Sequence, residues 1–196
     1  TNTNTDDFLS DKSLNMTINP AKFDFSLLHA ALFHLCNKER EDYSKTQYIY
    51  MNDLEKSANI HSEEMTEHHF FSHTNEKNNK YKTPADRIFY FNKDYKTVGE
   101  NIVANNLMEY EGSILKYSIR QIGDKEVYIG SNDKELEYTT YFNLAKRLTQ
   151  QWMDSPPHKK NMLSNDFTLL GCACALEEAD DFMKIKCTQN FGALFH

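Results

Sequence analysis

Long apolar runs and basic clusters are both missing from this sequence. No apolar run approaches the roughly 20 residues that a membrane-spanning helix requires. The 22 Lys and Arg residues are outnumbered by 29 Asp and Glu residues, which gives a net charge of −7. That charge opposes binding to nucleic acids and to anionic membrane surfaces, because nothing offsets the repulsion from phosphate groups. We therefore expect neither a transmembrane segment nor a nucleic-acid partner.

Cysteine is scarce, and the spacings of common zinc sites are missing. The four cysteines form neither a dense disulfide framework nor the closely spaced pairs of a zinc ribbon. The HExxH spacing of a metalloprotease is missing as well. Cys172 and Cys174 share one face of a predicted strand, and Cys187 is expected on the following strand. A cross-strand disulfide would fit this arrangement, but we favour buried thiols because free cysteine is commonly buried.

The chain is long and aromatic enough for one folded domain. Its 196 residues include thirteen Phe and eleven Tyr, so it can bury a sizeable core. Residues 1–19 show no sustained periodicity and are rich in Thr, Asn and Asp, which predicts a tail or linker that ends at Pro20. Residues 20–196 then form the domain. Because the chain opens with a polar run at Thr1, we expect that any signal segment has already been removed or was never there.

Apolar residues at helical spacing predict several helices. The segments are 28–36, 54–68, 142–152 and a short helix that starts at Thr83-Pro84. His61 and His68 lie on the apolar stripe of the second helix, where we expect them to line the edge of the core and hydrogen-bond locally. His68, His69 and His73 also form a cluster of a kind that can bind metal adventitiously, which is a weak signal.

The strand signals come mainly after these helices. Alternating apolar residues over 114–129, with a turn at Gly123-Asp124, predict a hairpin. Residues 168–176 and 182–191 are typical of two antiparallel strands joined by an acidic loop. No alternation of strand, helix and strand runs through the chain. The sequence therefore predicts an α+β fold in which a sheet is layered with helices.

The segment from Trp152 to Gly171 contains a helix end, two prolines and a histidine. Pro156 and Pro157 cannot donate backbone hydrogen bonds, so the preceding helix should stop before them. Ser155 can cap a new short helix that has Pro156 at its first position. His158 then lies in the first turn, where the helix dipole disfavours a protonated imidazole. A neutral imidazole can accept a proton or bind a metal, although a surface histidine with no role would fit equally well.

Four separated motifs, in this order, resemble those of a known family. They are FFSHT (70–74), VGENI (98–102), WMDSPPHKKNML leading to LLG (152–171) and CTQNFG (187–192). In this combination the chain resembles the bacterial form of the CAP superfamily, the SCP-like, pathogenesis-related extracellular domain, over about residues 24–196. The resemblance implies a three-layer α-β-α sandwich with a central antiparallel sheet and a large cleft. Residues 107–137 resemble a hairpin insertion that could cover one end of that cleft.

The resemblance also implies the residues of the cleft. His73 matches the first family histidine, Glu100 matches the glutamate of GENI, and His158 matches the histidine of the bacterial WMxSPxH pattern. Many eukaryotic members carry glutamate where Ser155 stands and a second histidine where Lys186 stands. Their set of two histidines and two acids is therefore incomplete here. The predicted ligand-binding cleft comprises His73, Glu100, Ser155, His158 and Gln189.

Three functions are compatible with such a cleft. We favour a monomeric, secreted or envelope-anchored binding module for a small ligand, lipid or peptide, with His73 and His158 as ligands of Zn²⁺ or another divalent cation. The alternative is a hydrolase, most simply a peptidase, in which His73, Glu100 and His158 act on a metal-bound water. The third hypothesis is a non-catalytic interaction scaffold in which the same residues, with Gln189 and Asn190, form a bracing polar network.

Overall fold

Two layers of helices enclose a four-stranded sheet in the computed structural model, which describes residues 4–110, 114–179 and 181–195. The helices are α1 (Thr5–Leu9), α2 (Phe25–Asp42), α3 (Asn52–Glu67), α4 (Pro84–Phe91), α5 (Tyr141–Asp154) and α6 (Pro156–Leu163). The strands are β1 (Ile49–Tyr50), β2 (Tyr95–Asn106), β3 (Tyr117–Ile122), β4 (Lys125–Gly130), β5 (Leu169–Glu177) and β6 (Lys184–Leu194). Among these described residues, no helix is both long and apolar enough to cross a membrane.

The main sheet has the strand order β1-β5-β6-β2. β6 pairs antiparallel with both β5 and β2, and the two-residue strand β1 pairs parallel with β5. The predicted α+β sandwich with a central antiparallel sheet is therefore confirmed, with β1 as a short parallel addition at one edge. β2 forms the opposite edge. Its Glu100 lies beside Asn190 of β6, and Asn101 lies beside Gln189.

Alternate residues of the strands face different helix layers. One face packs against α2 and α5, where Trp152, Leu170 and Phe191 are fully buried in the larger core cluster. The other face packs against α3 and α4, through a smaller cluster that includes Leu54 and Ile88. The assignment of Trp152, Leu170 and Phe191 to the core is confirmed.

The segment before α2 contributes to the core. Leu14 is fully buried and Ile18 is 2% exposed, and both belong to the larger core cluster. The Ile18 N–H donates to the Thr139 carbonyl at 2.8 Å. This part of the segment is therefore packed rather than a tail or linker. Too few apolar residues recur there to give a helical or strand period, so its packing into the core could not be predicted from the sequence. Residues 1–3 of the predicted tail, including Thr1, lie outside the described residues.

The predicted hairpin forms as β3 and β4, with Ile122 opposite Lys125. Gly123 has a φ of +62°, which glycine adopts at little cost in a tight turn. The Met108–Tyr138 bridge joins the ends of the surrounding segment, close to the predicted 107–137 boundaries. Residues 111–113 of that segment lie outside the described part of the chain.

Two of the four cysteines form a disulfide. Cys174 and Cys187 lie directly opposite each other on β5 and β6, with their Cα atoms 4.0 Å apart, and their sulfurs are bonded. The expectation of buried thiols is wrong for this pair, because the register brings both side chains to one face of the sheet. It holds for Cys36 and Cys172, which are free and buried. Burial raises the pKa of the Cys36 thiol to about 12.

Candidate functional site

Glu100 is a buried carboxylate on the edge strand β2. Its side chain is 1% exposed, and Oε2 accepts a hydrogen bond from Arg87 Nη2 at 2.7 Å, with the Arg87 side chain fully buried. Arg87 comes from α4, whose start is fixed by a reciprocal capping box between Thr83 and Asp86. A buried carboxylate needs such a partner, because an uncompensated charge in the interior is strongly unfavourable.

His73 lies next to this carboxylate, in the loop after α3. Its Nδ1 is 2.9 Å from Glu100 Oε1, and its backbone carbonyl accepts a hydrogen bond from Arg87 Nη2 at 3.0 Å. An ionised carboxylate only accepts hydrogen bonds, so Nδ1 carries a proton, and in the neutral ring Nε2 is the unprotonated nitrogen. The side chain is 48% exposed. Glu100 therefore orients an imidazole whose second nitrogen has a free lone pair.

His61 of α3 is a further histidine at this carboxylate. It is completely buried, its Nε2 donates to the Ser72 carbonyl at 2.9 Å, and the same nitrogen is 3.6 Å from Glu100 Oε1. Burial lowers the pKa of His61 to about 4, so the ring is neutral at physiological pH. It hydrogen-bonds locally, as expected, but its place beside Glu100 was not predicted. Its burial could be predicted from its place on the apolar stripe of α3. Its position beside β2 could not, because that depends on how α3 packs against the sheet.

Asn190 and Gln189 are neighbours on β6 whose side chains lie on opposite faces of the sheet. Asn190 can donate to Glu100 Oε2 at 3.2 Å in the amide orientation that also lets its oxygen accept from Ser57 Oγ and the Ala58 N–H. Gln189 is fully buried on the other face and accepts a hydrogen bond from Asn101 Nδ2 at 3.2 Å. Of this pair, the structure thus brings Asn190 to the carboxylate and leaves Gln189, a predicted cleft residue, in the core.

His158 is brought to the same edge of the sheet by α6. Its carbonyl accepts a hydrogen bond from Asn101 Nδ2 at 3.1 Å, and Asn161 of α6 donates to Asn101 Oδ1 at 2.9 Å. Burial lowers the pKa of the half-buried His158, and the nearby His73 lowers it further. Asn161 Nδ2 also lies 3.3 Å from the Glu100 backbone carbonyl, so α6 is joined to the strand that carries Glu100. Neutral His158 has one unprotonated ring nitrogen, whose lone pair can bind a metal ion.

Ser155 lies between α5 and α6 and follows the prediction only in part. α6 begins at Pro156, as expected, but the Ser155 side chain makes no capping hydrogen bond within the described residues. A capping side chain accepts from the second or third N–H of the helix, and Pro157 at the second position has none. The predicted cap is therefore wrong.

The other two histidines of the predicted cluster, His68 and His69, each contact a carboxylate other than Glu100. His68 is 3.5 Å from Glu64, and His69 Nδ1 is 2.8 Å from Glu177. Glu177 also pairs with the buried Lys186, at 2.9 Å. Across residues 4–110, 114–179 and 181–195, no three His, Cys, Asp or Glu side chains converge as metal ligands. Any ion held by His73 and His158 would therefore need other donors, such as water.

Two cavities lie away from His73, Glu100 and His158. One, of about 550 Å³, is lined by α5 and by residues at and after the end of β2. The other, of about 1150 Å³, lies between α1, α2 and β1 at the opposite edge of the sheet. The histidine site is therefore distinct from both.

The chain matches one family and several solved structures. The model of the cysteine-rich secretory protein family, CAP, matches residues 33–191. An outer surface protein from Borrelia burgdorferi is 17% identical with a TM-score of 0.58, over 92% of this chain and 100% of that chain. An extracellular protein containing an SCP domain from Bacillus anthracis is 21% identical with a TM-score of 0.57, over 90% of this chain and 44% of that chain. No curated protein matches the sequence.

Proposed function

Because the chain belongs to the cysteine-rich secretory protein (CAP) family, we propose that it is a secreted or envelope-located binding module. In this proposal, His73 and His158 hold a divalent cation such as Zn²⁺ at the β2 edge of the sheet. The ion would supply a Lewis acid with positions open to a small ligand or a peptide. The relatives described as an outer surface protein and an extracellular protein agree with this location.

The observation that carries the proposal is the hydrogen bond between His73 and Glu100. In the neutral ring it keeps the proton on Nδ1, at 2.9 Å from the carboxylate, and leaves the Nε2 lone pair free on a half-exposed side chain. A carboxylate that orients a histidine in this way is the usual support of a metal-binding imidazole. A histidine must also be neutral to bind a metal ion. His158 is neutral near pH 7, because burial and the nearby His73 hold its pKa below the ordinary value.

The hydrogen bonding of Glu100 favours binding over hydrolysis. Its Oε2 is engaged by Arg87 at 2.7 Å and its Oε1 by His73 at 2.9 Å, in a side chain that is 1% exposed. A general base must reach the water or group from which it takes a proton. A carboxylate held by these partners is poorly placed for that role. Glu100 is better suited to orient His73, so the peptidase hypothesis has less support.

Calorimetric titration of Zn²⁺ into metal-stripped protein at pH 7 tests the proposal. We expect saturable binding at one site in the wild type and its loss in both His73→Ala and His158→Ala. His69→Ala is the matched control, because His69 is an exposed histidine of the same cluster that pairs with Glu177 instead. It should bind zinc as the wild type does.

Other outcomes would separate the three hypotheses. If the wild type takes up no zinc, or if both histidine variants bind it equally well, the metal-binding proposal is wrong and a bracing network is favoured. Loss of binding in His69→Ala would indicate adventitious uptake by the histidine cluster. Turnover of peptide or ester substrates that depends on zinc and on Glu100 would favour the hydrolase.

A further inference from the structure

A second candidate site lies at the β1 edge of the sheet, opposite the histidine site. The cavity of about 1150 Å³ is formed by α1, α2, β1 and the start of α3. Its lining includes neither Glu100 nor the residues beside it, which are His61, His73, Arg87 and Asn190. Its volume is large enough for a small organic ligand, since such sites usually measure about 300–1000 Å³.

Aromatic side chains form part of the cavity wall. Phe33 packs edge to face against Tyr50, with ring centroids 6.0 Å apart, and Phe8 stacks on His34 at 4.4 Å. Tyr50 is 47% exposed, and its neighbour Ile49 is 66% exposed. The cavity therefore offers apolar and aromatic surface to a ligand, rather than a purely polar lining.

Glu55 provides a fixed carboxylate in this wall. Its Oε1 is 3.4 Å from Nδ1 of the buried His29, and His29 Nε2 accepts a hydrogen bond from the Cys174 N–H at 2.9 Å. A ring that accepts through Nε2 carries its only proton on Nδ1, so His29 is neutral. His29 thus anchors Glu55 to the central strand β5 without neutralising its charge.

The charge of the lining is consequently one-sided. Among the described residues that line the cavity, there are three carboxylates and no lysine or arginine. Lys38 pairs with two of the carboxylates, Asp6 and Glu41. Within the described residues, no lysine or arginine pairs with Glu55, and the basic side chain beside it is the neutral His29. Burial works against ionisation of Glu55, but interactions with His29 and Tyr50 outweigh it and its pKa lies below the ordinary value.

We propose that this cavity binds an organic cation, an amine with an apolar body. The ammonium group would pair with Glu55, and the apolar body would lie against Phe33 and Tyr50. A carboxylate together with aromatic faces is the combination that recognises ammonium groups, through ion pairing and cation–π attraction. An anionic ligand would meet an uncompensated negative charge there.

Titration of the protein with phenethylamine at pH 7 tests the proposal, with 2-phenylethanol as its neutral counterpart. We expect saturable binding of the amine, and binding of the alcohol that is weaker by about tenfold or more, because the charge-assisted hydrogen bond is lost. Glu55→Gln should weaken amine binding to a similar extent. Glu67→Gln, on the same helix but exposed, is the matched control and should leave it unchanged.

Two further variants test the role of the aromatic surface and show whether amine binding depends on His73. Tyr50→Ala, at an exposed position, should weaken the binding of both compounds because it removes aromatic surface. His73→Ala should bind the amine as the wild type does. The proposal is overturned if the wild type does not bind the amine, if the alcohol binds equally well, or if folded Glu55→Gln retains full affinity.

Discussion

At the level of single residues, Glu100 links the elements that form the histidine site. Hydrogen bonds connect it to Arg87 of α4 and to His73 of the loop after α3. His61 of α3 lies 3.6 Å from it. These contacts give Glu100 a structural role as well as a role in orienting His73, and the two can be separated by experiment.

Removing one partner of the buried Arg87–Glu100 pair should strongly destabilise the protein. Arg87→Met leaves an uncompensated carboxylate in the interior, so we expect the free energy of unfolding to fall by about 3–5 kcal/mol. Urea denaturation at pH 7 measures the change. Arg120→Met is the control, because Arg120 makes a 2.8 Å pair with Asp133 in which both side chains are exposed. Its removal should have little effect, and equal losses in the two variants would contradict the argument.

His61 predicts a specific pH dependence of stability. The pKa of an unfolded histidine is about 6.5, whereas burial lowers that of folded His61 to about 4. As the pH falls below 6.5, the unfolded state takes up a proton that folded His61 refuses until about pH 4. The free energy of unfolding should therefore be highest above pH 6.5 and fall by up to about 3 kcal/mol by pH 4.

Urea denaturation between pH 4 and pH 7.5 tests this dependence. In His61→Gln, the fall in the free energy of unfolding over this range should be clearly smaller. His34 and His158 still contribute in the same direction, because burial lowers their pKa values as well. An unchanged pH dependence in the variant would show that His61 is not responsible.

Three of the candidate site residues could be picked out from the sequence because each belongs to a short motif. His73, Glu100 and His158 each stand in a short pattern that can be recognised along the chain. His61 and Arg87 were not assigned to the site, since their roles depend on how α3 and α4 pack against β2. Along the chain, a histidine on an apolar helical stripe and an arginine in a short helix fit ordinary packing equally well.

At the level of elements, the segment before α2 departs most from its prediction. Leu14 is fully buried although its neighbours are polar. Leu14→Ala should therefore reduce the free energy of unfolding by about 3 kcal/mol, as in other cores. Met16→Ala should have little effect, because Met16 is 52% exposed. Equal and small changes in urea denaturation would restore the interpretation of this segment as a tail.

The disulfide between β5 and β6 predicts a definite thiol count. Of the four cysteines, two should react with a thiol reagent in unreduced, denatured protein, and all four after reduction. Reduction should also lower the free energy of unfolding by about 3 kcal/mol, because the bond closes a short loop in the unfolded chain. Four reactive thiols without reduction would rule out the bond.

Secondary structure was predictable where local chemistry decides it. The Thr83 cap, the start of α6 at Pro156 and the turn at Gly123 depend on neighbouring residues only. The disulfide was left open because it depends on strand register, and β1 was not predicted because two residues give no period. The Ser155 cap does not form: Pro157 removes the donor at the second position of α6, and the Ser155 side chain does not accept from His158 at the third position either.

At the level of the whole molecule, the two proposed sites lie on opposite edges of one sheet. The β2 edge carries His73, Glu100 and His158, and the β1 edge carries the cavity with Glu55. The layered fold was predictable from the order of helices and strands and from the family motifs. The cavity was not, because residues from α1, α2, β1 and α3 meet there without forming a motif along the chain.

The most direct test of the central claim is anomalous diffraction at the zinc edge from crystals of the zinc-loaded protein. The account predicts a peak within about 2.1 Å of His73 Nε2 and of a ring nitrogen of His158, which is the usual zinc–imidazole distance. The Nδ1 hydrogen bond of His73 to Glu100 should be retained. No peak between these rings, or a peak only at His68 and His69, would contradict it.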